Sequence, residues 1–489
     1  MTPSARREAA VGAGFAAGAL FLFGMTLPAP VFLDDWSYVV KNPLLRAPWD
    51  GFRRALLSRD YFAYTGERTW QPLVTLLHWA CRAPAELRLI GIGLHAANAL
   101  LLRAVARRLG ASEKTATAAA ALWLVFPFHA EALFLSSFKG HLLAAASALA
   151  ALYAWERATA GETADRRWLA ASWAALALGL LGKETAVVGP ALIGLRVLLG
   201  DARRRAQRLR LLAGHAALCA VYLVWRFGVL RPAPALAFPA PRRPLASLGW
   251  YLLGLAKPWP ACLARSLPPG AWPAVLVLPF AGLVWAARRR PLALYGLLWI
   301  PVALLPFLGF VAFAGYSPVA DRYLYLASAG ACLALADLLA ETRATLALAV
   351  LGAAWAGLLA RRNGEFRDLP GVCAQTAACA PDNPLALALW GEERLTERDY
   401  GAAREALERA VALSPKDPDI LNNLGLARFG AGDKEGARDA FARAVAVRPA
   451  TGAYENLGLA LTALGRRKEA AAAYARALAL RRGFGRIAP

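Results

Sequence analysis

Two adjacent carboxylates, Asp34 and Asp35, follow directly on the first long apolar run, residues 9–31, and are followed in turn by Trp36, Ser37 and Tyr38. A carboxylate at the centre of a membrane helix costs at least ~2.5 kcal/mol, so the pair marks a membrane surface. Its bland role would be to end one helix and cap the next. Further ionisable groups sit at the ends of other apolar runs: His129 and Glu131 within Phe126-Pro127-Phe128-His129-Ala130-Glu131, Lys139 and His141 just beyond, Lys183-Glu184, and Asp321-Arg322-Tyr323-Leu324-Tyr325. Singly, each can be a snorkelling anchor. Acids, cations and a histidine gathered on one face are the groups of a reaction site, suited to proton transfer and to stabilising charge.

Membrane helices must position them. The chain has 489 residues, 58% of them hydrophobic, which is too apolar for a soluble protein of this length. Runs long enough for a hydrocarbon core roughly 30 Å thick are expected near residues 8–29, 86–108, 114–135, 141–158, 166–182, 185–200, 208–228, 270–287, 291–313, 322–340 and 344–360. The first is read as a retained helix, because it exceeds the ~7–15 residues of a signal core and Pro28 and Pro30 follow it. The net charge of +23 does not point to nucleic acid, since its arginines cluster in short loops: Arg107 and Arg108, Arg166 and Arg167, Arg203 to Arg205, Arg288 to Arg290. The positive-inside rule makes those loops cytoplasmic. Residues 30–85, the turns at Lys139, Lys183-Glu184 and 317–322, and everything after residue 360 then lie outside. Residues 245–262 read as re-entrant or interfacial, because a twelfth crossing would turn Arg288 to Arg290 outward. Cys81, Cys219, Cys262 and Cys332 read as ordinary small membrane residues, and none of the six cysteines has zinc spacing. Cys373 and Cys379, outside and close in sequence, are candidates for a local disulfide.

From Pro384 the pattern becomes amphipathic with a period near 34 residues, the signature of tetratricopeptide helical hairpins. Gly391, Gly425 and Gly458 recur in the first helices; Leu407, Phe441 and Tyr474 recur in the second; Pro415 and Pro449 close two units. The fold class is therefore all-α: a polytopic membrane domain over residues 1–360, a linker over 361–383, three repeats over 384–482 and a tail over 483–489.

Phe32-Leu33-Asp34-Asp35 running on to Val39, Val40, Asn42 and Pro43, then Gln71-Pro72-Leu73-Val74-Thr75-Leu76, Leu94-His95-Ala96-Ala97-Asn98, the His129/Glu131 element, Lys183-Glu184 and Arg322-Tyr323-Leu324-Tyr325 form an ordered series. The series resembles the transmembrane and tetratricopeptide-repeat O-mannosyltransferases of the C superfamily of glycosyltransferases. Phe126, Gln71, Gly182 and Asp321 depart from that pattern, where histidine, arginine, serine and glutamate are usual; these bear on the particular sugar or acceptor. The resemblance implies a lipid-phosphate sugar donor, mannose-like, and the Ala- and Arg-rich composition suggests a bacterial relative using polyprenyl phosphate. Its good leaving group needs no strong acid, but the acceptor hydroxyl needs a base, for which Asp34 or Asp35 is the candidate. Two close carboxylates titrate jointly. Lys183, Arg322 and His129 would meet the departing phosphate, Glu131 and Glu184 would orient those cations or bind sugar hydroxyls, and Tyr325 completes the donor set. No cofactor is expected; a divalent metal, used by some of the superfamily, is not favoured. The implied partners are membrane lipid and a protein or peptide acceptor on the repeats, at the periplasmic face of a bacterial inner membrane. The rival reading is a non-enzymatic membrane scaffold whose repeats assemble proteins.

Overall fold

The computed structural model describes residues 2–29, 45, 48–56, 70–81, 83–135, 138–229, 243–257, 262–268, 270–308, 319–339 and 345–485. Asp34 and Asp35 lie outside the described residues. Those described are built of helices with no strand among them, apart from an isolated antiparallel bridge between Arg265 and Val319.

Every expected apolar segment has a helical counterpart, and many helix starts carry the cap that their sequence offers. Ser112 accepts from the Thr115 N–H at 3.1 Å, Asp165 from Arg167 at 2.8 Å and Asp201 from Arg203 at 2.9 Å. Among the described residues, five helical stretches are long and apolar enough to cross a membrane: Pro3–Thr26, Pro84–Arg108, Ala202–Val229, Asp321–Leu339 and Thr345–Glu365. The chain is a multi-pass membrane protein. Within the expected third segment, residues 114–135, Glu113–Leu124 stops and a short helix, His129–Phe134, begins anew. Pro127 lies in the break, where its ring disfavours helix in the preceding residue and its missing N–H leaves a ladder bond unmade. That break turns His129 and Glu131 inward instead of leaving them along a straight rod. The helix Pro244–Ala256 has 13 residues, roughly 20 Å, which is short of a ~30 Å crossing.

The core is close-packed around Trp123, Trp155, Trp299 and Phe134. Pro291–Leu304 and Leu324–Leu339 meet backbone to backbone, since a Cβ on Gly296 would lie 2.6 Å from the Gly330 carbonyl oxygen. Residues 361–383 are mostly helical: Thr345–Glu365 continues through the buried Arg362 and Asn363, and Leu369–Cys379 follows after a short turn. The repeats are the hairpins Pro384–Thr396 with Tyr400–Leu413, Pro418–Gly430 with Lys434–Val447, and Thr451–Ala463 with Arg467–Gly485. Their recurring glycines and large residues are partners: Leu407 fills the space beside Gly391, Phe441 beside Gly425 and Tyr474 beside Gly458.

The cysteines require a correction. Cys379 is bonded to Cys262, 117 residues away, and not to Cys373. Cys373 is a buried free thiol, which burial pushes up to about 12 so that it stays protonated. Spacing in sequence favoured the local pair, whereas packing of residues 262–265 on the start of the repeats brings the distant pair together.

Candidate active site

Glu131 and Arg322 form the centre of the site. The Arg322 N–H donates to Glu131 Oε2 at 2.9 Å and its Nη1 to Oε1 at 2.6 Å, while the same Nη1 donates to the Leu263 carbonyl at 3.2 Å. Both side chains are buried, and the guanidinium lies over the Phe138 ring at 4.4 Å. Asp321, in the same 3₁₀ turn Asp321–Tyr323, is gripped by two more arginines. Arg265 donates from Nε at 2.8 Å and Nη2 at 3.2 Å, and Arg362 from Nη2 at 2.6 Å. Burial opposes the charge of Arg265, but Asp321 outweighs it and holds the guanidinium above its usual range. These three guanidinium groups face two carboxylates, leaving one positive charge in excess.

His129 and Tyr325 lie beside this network, in a buried chain of hydrogen bonds. Tyr325 Oη is 2.7 Å from His95 Nδ1 and accepts from Asn98 Nδ2 at 3.2 Å; His129 Nε2 is 3.0 Å from Ser328 Oγ, which also accepts from Trp123 Nε1 at 2.9 Å. The His129 and Tyr325 rings are 4.6 Å apart. Arg322 and Tyr325 line a small cavity with His141, Thr185 and Tyr323, and the rest of its lining is apolar: Ala144, Ala145, Val188, Ala303, Phe307 and Leu326. Lys183 and Glu184 directly precede Thr185 in that wall. Glu184 is buried, 3.8 Å from Arg226, and burial raises its pKa against the opposing influence of Lys183 and Arg226. The structure thus brings His129, Glu131, Arg322 and Tyr325 into one cluster, with Lys183 and Glu184 at its edge.

Sequence reasoning overlooked Arg88, Arg265 and Arg362. Arg88, fully buried, donates from Nη1 to the carbonyls of Thr26, Leu27 and Ala29 at 3.3, 3.4 and 2.5 Å, and from Nε to Phe134 at 3.3 Å. It therefore ties the end of the first membrane helix, five residues before Asp34, to the short helix that carries His129 and Glu131. An arginine inside the apolar run of 86–108 is the signal that would have found it. Lys139 is buried too, and its Nζ donates to the Leu133 and Leu135 carbonyls at 2.7 and 3.1 Å, closing that short helix. Among the described residues no group of three or more His, Cys, Asp or Glu is placed to hold a metal ion.

The described residues thus define a helical membrane domain with a buried cationic cluster, joined to a repeat solenoid of the kind used in protein interaction. Residues 84–225 match the dolichyl-phosphate-mannose-protein mannosyltransferase family, and residues 389–451 and 428–483 match the tetratricopeptide repeat. Together these are the matches of a repeat-containing, O-mannosyltransferase-like family, and they imply glycosyltransferase activity. No curated protein matches the chain. Among solved structures, MamA MSR-1 C2 is similar at 22% identity over 27% of this chain and 77% of that one, with a TM-score of 0.23. MamA AMB-1 C2221 is similar at 19% over 42% of this chain and 97% of that one, with a TM-score of 0.22. Likenesses at such TM-scores have no bearing on function.

Proposed function

We propose that this protein moves a sugar, mannose-like, from polyprenyl phosphate to a Ser or Thr hydroxyl of a protein at the periplasmic face of a bacterial inner membrane. The observation that carries the reading is the cavity at Arg322, whose lining combines a cation, hydroxyls and an imidazole with apolar side chains. That mixture suits the junction between a phosphate and an isoprenoid chain. In the proposed reaction the acceptor oxygen attacks the anomeric carbon as the bond from that carbon to the phosphate oxygen breaks. Asp34 or Asp35 takes the hydroxyl proton, and polyprenyl phosphate leaves with both bonding electrons. Arg322, His129 and Lys183 stabilise the charge on the leaving phosphate. Direct displacement inverts the anomeric configuration. The Cys262–Cys379 bond supports the orientation, because disulfides persist in oxidising compartments.

The test is transfer by the purified protein from a polyprenyl-phosphate sugar to a Ser/Thr peptide. A positioned base contributes ~10²–10⁴-fold, so Asp34→Asn or Asp35→Asn should lower the rate by that much while leaving expression intact. Rates within a few-fold of wild type for both variants would remove the base assignment.

A further inference from the structure

Residues 262–265 are held from two sides. The helix Leu369–Cys379 and the residues that lead from it into the first repeat grip one side: Cys262 is bonded to Cys379, the Leu263 N–H donates to Thr376 Oγ1 at 3.3 Å, and Asn383 Nδ2 donates to the Arg265 carbonyl at 3.4 Å. Ala264 is buried against Ala380 and Ala386. On the other side the Leu263 carbonyl accepts from Arg322 Nη1, and the Arg265 guanidinium holds Asp321 through two hydrogen bonds. Asp321 and Arg322 share one short turn, so they cannot move independently. Arg265 also pairs through its N–H with the Val319 carbonyl at 3.2 Å, which fixes the backbone leading into that turn. A displacement of four residues at the base of the repeats is therefore delivered to Arg322 by contacts to its own side chain and to its neighbour's.

We infer that residues 262–265 are a strut through which the helix Leu369–Cys379 and the entry to the repeats set the position of Arg322, with Arg265 as a positioning residue. The inference rests on the reading of Arg322 as a group that meets the donor phosphate. It gives the disulfide a role in binding, since Cys379 holds the strut in the register that aims the guanidinium into the cavity. Arg265 reaches that cavity only through Asp321 and the turn.

The experiment uses the full-length protein and a short-chain polyprenyl phosphate as probe, with donor KM and kcat measured alongside. The oxidised wild type, the wild type treated with reductant, and the variants Cys379→Ser, Arg265→Lys, Arg265→Met and Arg322→Met are compared. Reduction, Cys379→Ser and Arg265→Met are each expected to weaken probe binding on the order of tenfold. The donor KM should rise by a similar factor with a smaller change in kcat; Arg265→Lys should recover part of the loss, and Cys379→Ser should not respond to reductant. Should Arg265→Met fail to fold, the reduced wild type carries the test without a substitution. Wild-type probe binding in the reduced protein and in Arg265→Met, with binding lost in Arg322→Met, overturns the strut and leaves the phosphate reading standing. Wild-type binding in Arg322→Met removes the phosphate reading, and the strut falls with it.

Discussion

Glu131 has two neighbours that pull in opposite directions, a guanidinium that wants its charge and an apolar shell that does not. Arg322 answers with both its side chain and its backbone N–H, an arrangement that fixes direction as well as charge. Removing one member of a buried pair leaves the other uncompensated, a loss of ~3–5 kcal/mol in general. Glu184 is differently placed, since burial raises its pKa in the folded protein. A raised pKa means that the folded state binds the proton more tightly than the unfolded one. Stability from this group is fully present below its ordinary value of 4.5 and is lost as pH rises through the folded value. The melting temperature of Glu184→Gln relative to wild type should therefore rise as pH rises from 4.5, in detergent-solubilised protein followed by thermal denaturation, whatever offset the lost contact with Arg226 adds at all pH values. Parallel melting curves for the two proteins across that range would exclude the effect. The residues at the ends of apolar runs could be read from sequence because an ionisable group at a membrane boundary is conspicuous in one dimension. Arg265 and Arg362 could not, because their shared partner Asp321 lies 56 and 41 residues away and no local pattern encodes such a pairing.

At the scale of elements, the repeats were the most legible part, because a period of 34 places glycine opposite a bulky residue in each hairpin. One position breaks that regularity. Arg398 has φ 62°, in the left-handed region, where the corresponding turns of the next hairpins have Gly432 at 89° and Gly465 at 76°. A side chain there costs roughly 1–2 kcal/mol, so Arg398→Gly should stabilise the first repeat by about 1 kcal/mol after the greater freedom of the unfolded glycine is offset. Chemical denaturation of the variant measures this, and an unchanged or lower midpoint would count against strain at Arg398. In the membrane domain, helix type was legible from apolar runs but continuity was not: the break at residues 125–128 depends on what Pro127 does to its neighbours and on the space available to turn into. The close approach at Gly296 and Gly330 is a second feature of this kind. Gly330→Ala should lower thermal stability by ~1–3 kcal/mol through overpacking against Trp299 and the facing backbone; retention of the wild-type melting temperature would show that the helices can part without cost.

For the whole molecule, the repeats and the membrane domain are less separable than their sequences suggest. A chain ending at Arg367 loses Thr376, Cys379 and Asn383 together with the repeats, and so the described C-terminal holds on residues 262–265. Such a chain should lose transfer to a short peptide as well as to a full protein acceptor, by on the order of tenfold or more for the peptide. Transfer to the peptide at the wild-type rate would mean that the repeats only present large acceptors. The linker expected from polar composition over 361–383 conceals this dependence, because burial of Arg362, Asn363 and Thr376 comes from tertiary packing.

The bond between Cys262 and Cys379 also imposes an order in time. Its second half lies 117 residues after its first and beyond the last described membrane helix, Thr345–Glu365. On the proposed orientation, with oxidation confined to the outward side of the membrane, the bond closes only after residue 379 has been exported. A chain arrested during synthesis, or one whose repeats stay behind in the cytoplasm, would hold an open Cys262 thiol and an unbraced Arg322. On the proposed orientation, export of the C-terminal region is then the last step in building the site, and a competent protein waits until that region has crossed the membrane.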